Sequence, residues 1–251
     1  MRVVISQSML FPWVGMFEQI HAADVFVHYD DVQFSKGSFT NRIQVKTRQG
    51  VRWLTVPLRT LHLGQRIADV QIQPISNWRG QHLELLARSL DGAPYFQDAI
   101  GIAEKAYSSD HATIGNLARA SLLGIAEYFG LTKSTRFVDV SDLGISGSGS
   151  SRVLAIVKQL GGTSYVTGHG AARYLDHAAF ESAGVDVEYI DYRRQSYPQL
   201  HGDFTPYVTA LDLVANCGPQ GRDFIRARTI PWRDFINPSR NQATGNDVQR
   251  S

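Results

Sequence analysis

A chain of 251 residues, 43% hydrophobic and 19% charged, can bury a full core, and the length fits one large domain or two small ones. Its 25 basic and 23 acidic side chains nearly cancel and are spread along the chain without the basic blocks that usually announce nucleic-acid binding, which leaves RNA unsupported but not excluded. The single cysteine, Cys217, excludes an internal disulfide and fits a reducing compartment, and no run reaches the ~20 apolar residues of a membrane helix. The opening MRVVISQSMLFPWVG has one basic residue and an apolar stretch broken by Gln7 and Pro12, unlike a signal peptide, so the expectation is a soluble, cytoplasmic protein.

In chain order, RVVIS (2–6) reads as a short buried strand. MFEQIHAAD then sets Met16, Phe17 and Ile20 on one helical face, and VFVHY is a second buried strand. Such a βαβ unit makes the two strands parallel. The loops QSMLFPWVG and DDVQFSKGSFTNR leave from their carboxyl ends, where open α/β sheets bind ligands, and are expected to face each other. VRWLTVPL (51–58) and ADVQIQ (68–73) read as further strands. A helical block follows over about 77–130, starting at the cap-type residue Asn77 and stopping at Gly130. Alternation then resumes: strand RFVDV, helix SSRVLAIVKQLGG, strand TSYVTG, helix YLDHAAFESAG, strand VDVEYIDY and helix TALDLVANCG, with Gly162 and Gly184 as left-handed caps. The fold class is α/β, a Rossmann-like mostly parallel sheet with a helical insertion in the middle of the chain. Residues 1–238 are expected to form a single domain, and the polar stretch 239–251 a disordered tail.

Candidate chemistry gathers on the loops. Phe11 and Trp13, beside the rigid Pro12 and the permissive Gly15, offer a flat wall for a ring or sugar, or fill the core; Gln7, an amide straight after a buried strand, needs hydrogen-bond partners. Asp30 and Asp31 are adjacent, so on an extended chain they point apart and only one can face a ligand as proton acceptor or anchor, while the other holds Arg42 or the loop backbone. Lys36 and Arg42 suit phosphate or carboxylate, and Gln33 and Asn41 can orient a substrate. GISGSGSSRV (144–153) leads into a helix whose amides can bind an anion, although it lacks the Walker lysine and reads first as a flexible connection. Gly168-His169-Gly170 follows a strand at the ligand edge and places a near-neutral imidazole there, with Tyr174 and Asp176 just beyond. Tyr197 and Gln199 sit near His201 in a proline-fixed loop, and Asp212 and Asn216 share a helix face. Cys217 lies at the wrong helix end for an activated thiolate, and no Cys/His spacing marks a metal site.

Five separated segments, SQSMLFPWVGMFEQIHAADVFVHYDDVQFSKGSFTNR, WLTVPL, APYF, GGTSYVTGHGAARYLD and YPQLHGDFTPYVTALDLVANCG, together resemble the WbqC-like protein family. Departures are Ser8 where the family usually has proline, Phe39 where tryptophan is common, and His169 and His201 at positions that are often not histidine. The resemblance implies a bacterial cytoplasmic protein encoded with surface-polysaccharide or natural-product genes, acting in aminoacyl or acyl transfer to a sugar amine or a similar acceptor. It adds Thr55 to the motif residues named above, beside Trp53 and Pro57, and implies no cofactor. FPWVGMFEQI and ISGSGSSR have a weaker likeness to the phosphate-handling loops of nucleotidylyltransferases and class I tRNA synthetases, without their histidines. Three functions follow: a transferase using Asp30, Asp31, Lys36 and His169 on a sugar nucleotide or activated amino acid; a nucleotide-using adenylating enzyme holding phosphates on Gly168 and the Ser146–Ser151 loop; or a non-catalytic ligand-binding partner protein. A tRNA donor has no support in the sequence, no membrane partner is implied, and the oligomeric state is left open.

Overall fold

A computed structural model describes residues 1–74 and 77–238. β1 (Arg2–Ser6), helix α1 (Val14–Ala22) and β2 (Val25–His28) form the expected βαβ unit, with Val3 level with Val25 in a parallel pair. A hairpin of β3 (Arg42–Thr47) and β4 (Gly50–Thr55) stands apart from the main sheet as its own two-stranded ribbon. Helices α2 (Trp78–Leu90), α3 (Phe96–Ser108) and α4 (Ile114–Tyr128) come next. Asn77 caps α2 by accepting the Gly80 N–H at 3.2 Å, and Gly130 ends the block in the left-handed region.

The chain then runs through β5 (Arg136–Asp139), α5 (Gly149–Gln159), β6 (Ser164–Thr167), α6 (His177–Ser182), β7 (Asp186–Ile190), α7 (Leu211–Cys217), β8 (Thr229–Pro231) and α8 (Trp232–Ile236). The main sheet has the order β5-β2-β1-β6-β7-β8, parallel throughout except for β8. Strand order reverses between β1 and β6, and that switch point is where an open α/β sheet leaves a crevice.

Both faces of the sheet are covered, which is why its central strands read as continuous apolar runs rather than alternating ones. Val3, Ile5, Val25 and Val27 pack toward Val153, Ile156 and Val157 of α5 and Phe180 of α6. Val4 and Phe26 pack the other way, onto Met16, Phe17 and Ile20 of α1 and the helices beyond. No described helix is long and apolar enough to cross a membrane.

Three expectations change. ADVQIQ is no strand: Ile67–Asp69 form a 3-10 turn, and residues beyond it make only isolated bridges, Leu58 with Ile72 and Gln71 with Thr113. Its alternation arises because Ile67, Val70 and Ile72 are buried against α4, whose Ile114 N–H reaches the Val70 carbonyl. The left-handed residue after α5 is Gly161 (φ +73°), not Gly162. Helix α6 starts only at His177, because Asp176 caps it by accepting the Ala179 N–H at 3.1 Å. The expected tail 239–251 lies outside the described residues.

Candidate functional site

The carboxyl ends of β1, β2 and β6 open on a cleft of about 830 Å³. The loop after β1 brings Gln7 and Trp13, the loop after β2 brings Tyr29, Asp31 and Gln33, and the turn after β6 brings Gly168, His169, Gly170 and Tyr174. The two loops expected to face each other do so. Gly147, Ser148 and Gly149, at the amino end of α5, close a further side together with Arg152.

One wall is aromatic. The Trp13 indole lies 5.1 Å from the Tyr192 ring and 5.5 Å from that of Tyr207. Gly15 is required beneath it, since a Cβ there would sit 2.1 Å from the indole. Gln19 donates to the Tyr192 hydroxyl at 2.8 Å, and burial raises the pKa of that phenol, so it stays protonated. The His169 ring lies tilted against Tyr192 at 4.9 Å, and its Nε2 bonds the Ile190 carbonyl at 2.8 Å. A carbonyl can only accept, so Nε2 carries the proton and Nδ1 is left as the basic atom.

The opposite wall carries a fixed ion pair. Arg152 grips both Asp31 oxygens, one at 3.0 Å, and also donates to the Ile145 carbonyl at 3.1 and 2.9 Å and to the Tyr29 hydroxyl at 3.3 Å. This corrects the expected Asp31–Arg42 pair: the partner comes from α5, more than a hundred residues along the chain. At the end of α5, Ser148 makes no side-chain cap and Gly147 and Gly149 hold positive φ of +102° and +63°, leaving the first amides of the helix without a side-chain acceptor. The glycine-serine run is thus the rim of the cleft rather than a plain connection.

Asp30, expected to be catalytic, is removed from any ligand. It has no exposed surface and accepts from the Ser8 amide at 2.8 Å, the Ser8 hydroxyl at 2.7 Å and Arg119 at 2.6 Å; Arg119 also pairs with Asp139. Since the Ser8 hydroxyl proton goes to Asp30, His28 Nδ1 donates to the Ser8 hydroxyl oxygen at 3.0 Å and the ring is neutral. Burial, and next the charge of Arg119, push the His28 pKa down to about 4. Ser8, His28 and Asp30 form a buried brace that pins the β1 loop to β2, and Ser8, with no exposed surface, cannot serve as a nucleophile.

Other candidates also fall elsewhere. Phe11 belongs to the core, 1% exposed with its ring edge-on to Tyr107 at 5.4 Å, so it forms no part of the wall. Lys36, Asn41, Arg42 and Thr55 line a second cavity of about 330 Å³ with Phe34, Leu58 and Leu61, and so hold nothing in the cleft. The Arg42 guanidinium donates to the Gly37 carbonyl and lies 4.2 Å from the centre of the Trp53 ring. Tyr197, Gln199 and Asp212 belong to a buried cluster: Gln199 donates to Tyr197 at 3.0 Å and accepts from Lys46 at 3.2 Å, and desolvation lifts the Asp212 carboxyl to about 6. Asn216 donates to the Asp212 carbonyl at 2.8 Å, along the helix. Burial pushes the Cys217 thiol up, against a nucleophilic role.

Tyr29, Arg152, Thr167 and Tyr192 line the cleft and were not among the predicted site residues. Three of these were reachable in principle, because Tyr29, Thr167 and Tyr192 stand at or just past the carboxyl ends of β2, β6 and β7. Arg152 carries no local signal, being set by the tertiary placement of α5.

The cleft thus lies at the switch point of an open, mostly parallel α/β sheet, the edge at which sheets of this class bind their ligands. The WbqC-like protein family model matches residues 7–224, and the chain belongs to this family. It is also 32% identical over 228 residues to Rv1507c of Mycobacterium tuberculosis, a protein described as uncharacterized, covering 90% of this chain and 97% of the relative. No solved structure matches.

Proposed function

We propose that this chain is a small-molecule group transferase that takes a nucleotide-activated substrate in the switch-point cleft. One observation carries the reading: the uncapped amino end of α5 opens into the same space as the Trp13–Tyr192 wall, so one ligand can lay a flat ring on the indole and its phosphates on the helix amides. Arg152 is already neutralised by Asp31 and acts by holding the helix end and Tyr29 in place. Gln7 and Gln33 offer amide groups to sugar hydroxyls; as the acceptor amine forms its amide bond, the bond between the acyl group and its carrier breaks, the carrier leaves with the electron pair, and His169 Nδ1 takes the proton that the amine sheds. Acyl or aminoacyl transfer to a sugar amine, in surface-polysaccharide or natural-product biosynthesis, is the form of this chemistry that the family resemblance suggests.

Ser148→Asp tests the reading. Aspartate is a good N-cap and should leave stability unchanged or raise it by about 0.5–1 kcal/mol, yet it sets a carboxylate where the phosphates belong. Titration calorimetry with ATP and with uridine-diphosphate sugars should show at least about tenfold weaker binding in the variant, from electrostatic repulsion and the loss of free amides. Equal binding by both proteins would sink the proposal. Pyrophosphate exchange with ATP separates adenylation from direct transfer, and binding without turnover on a panel of amine acceptors would favour the non-catalytic reading.

A further inference from the structure

The near-zero net charge conceals a segregation. Between Val32 and Ala68 the chain has seven Lys and Arg residues and no Asp or Glu, so this stretch holds seven of the 25 bases and none of the 23 acids. Net charge alone therefore does not describe the surface of this stretch. The stretch folds as one unit around the β3–β4 ribbon. Lys46 is consumed inside, bonded to Gln199 and the Gly202 carbonyl, and Arg66 is paired with Asp69. Lys36, Arg42, Arg48, Arg52 and Arg59 form no ion pair among the described residues.

The ribbon is also aromatic. Trp53, on the outer strand, is 42% exposed; Arg42 lies on its ring and Phe39 sits beside it at 5.4 Å. Strand alternation puts Arg52 on the other side of β4 from Trp53, where it joins Arg48 and Arg88 along a groove of about 420 Å³ that also contains Asp91. Arg88 is balanced by Glu84, so the unpaired charges of this groove are Arg48 and Arg52 against Asp91, a net of one positive charge.

We propose that the β3–β4 unit binds a single-stranded nucleic-acid segment, with one base stacked on Trp53 and the phosphate chain running from Arg42 past the edge of β4 to Arg48 and Arg52. The six-residue ribbon spans about 20 Å, enough for several phosphates of one strand. Cations on both sides of the ribbon suit a flexible polyanion that wraps an edge. A flat lipid surface would need the tryptophan and the cations on one plane. Stacking on an aromatic flanked by basic groups is how sequence-tolerant single-strand binding works. This surface is separate from the cleft, and the proposal does not depend on what the cleft binds.

The test is fluorescence anisotropy of the full chain with labelled twelve-nucleotide oligouridylate and oligodeoxythymidylate, from 50 to 200 mM salt. Arg48→Glu with Arg52→Glu should weaken binding at least tenfold and lower the salt slope by about 1.4, whereas Lys133→Glu with Lys158→Glu, the same charge change elsewhere, should alter the affinity less than twofold. Trp53→Leu should weaken binding severalfold at an unchanged salt slope, with circular dichroism confirming the fold of each variant. A preference between the two oligonucleotides assigns RNA or DNA. No binding by the wild type at 50 mM salt, equal loss in the two charge-reversed pairs, or tighter capture by phosphatidylglycerol vesicles than by either oligonucleotide would overturn it.

Discussion

The two halves of the stretch Tyr29–Arg42 meet opposite electrostatic fates. In the first, every charge is answered: Asp30 by Ser8 and Arg119, Asp31 by both arms of Arg152. In the second, among the described residues, Lys36 has no acidic partner and Arg42 meets a carbonyl and an indole but no carboxylate. Burial explains the difference. Asp30 is fully enclosed, where an unpaired carboxylate would be severely destabilising, while Lys36 is exposed and Arg42 only partly buried, so that both cost less to leave without a counter-charge. A cluster of polar residue types in sequence is therefore no guide to a shared site, and here it marks the seam between a braced cleft and a separate basic unit.

Substitutions can break this comparison in graded steps. Arg119→Ala should have the largest effect, about 3–5 kcal/mol in urea unfolding, because it strands the buried Asp30; a loss under 1 kcal/mol would show that the brace is not needed. Next is acid sensitivity. His28 has a folded pKa near 4, below its ordinary 6.5, so the unfolded chain takes up the proton first. The resulting stability is present above pH 6.5 and is lost as pH falls toward 4, on the order of 3 kcal/mol. Unfolding of the wild type and His28→Gln should therefore diverge at neutral pH and converge near pH 4, and parallel curves would argue against a buried neutral ring. Arg152→Met should cost about 1–2 kcal/mol by freeing the half-buried Asp31, and should weaken nucleotide binding at least tenfold because the rim of α5 loses its anchor. Smallest is Lys36→Ala, with a stability change within about 0.5 kcal/mol and less than a twofold change in cleft affinity; a larger affinity loss would return Lys36 to the cleft.

Much of this architecture was legible because parallel strands buried on both faces write themselves as uniform apolar runs, as RVVIS and VFVH do, and because Asn77 and Gly130 punctuate helices in the usual way. The edge of the sheet that carries the cleft followed from the βαβ unit, whose first loop holds Gln7 and Trp13, and the later strand TSYVTG sets His169 at the same edge, although the residues alone left Trp13 open between wall and core and His169 between site and solvated loop. What could not be read was partner choice. Nothing near Asp31 in sequence announces Arg152, and nothing near Asp30 announces Arg119; each pair closes through the long excursion between β2 and α5. ADVQIQ misled for a related reason, since a period of two also serves an irregular segment lying along a helix.

The brace of Ser8 on Asp30 has a kinetic corollary. Because the loop after β1 is tied to β2 through both the amide and the hydroxyl of Ser8, its conformation is set when the chain folds and not when a ligand arrives. A site whose floor is already ordered has no slow closing step on that side. Stopped-flow mixing should then give a single phase whose rate climbs linearly with ligand concentration, and any plateau would have to originate in the α5 rim or the His169 turn.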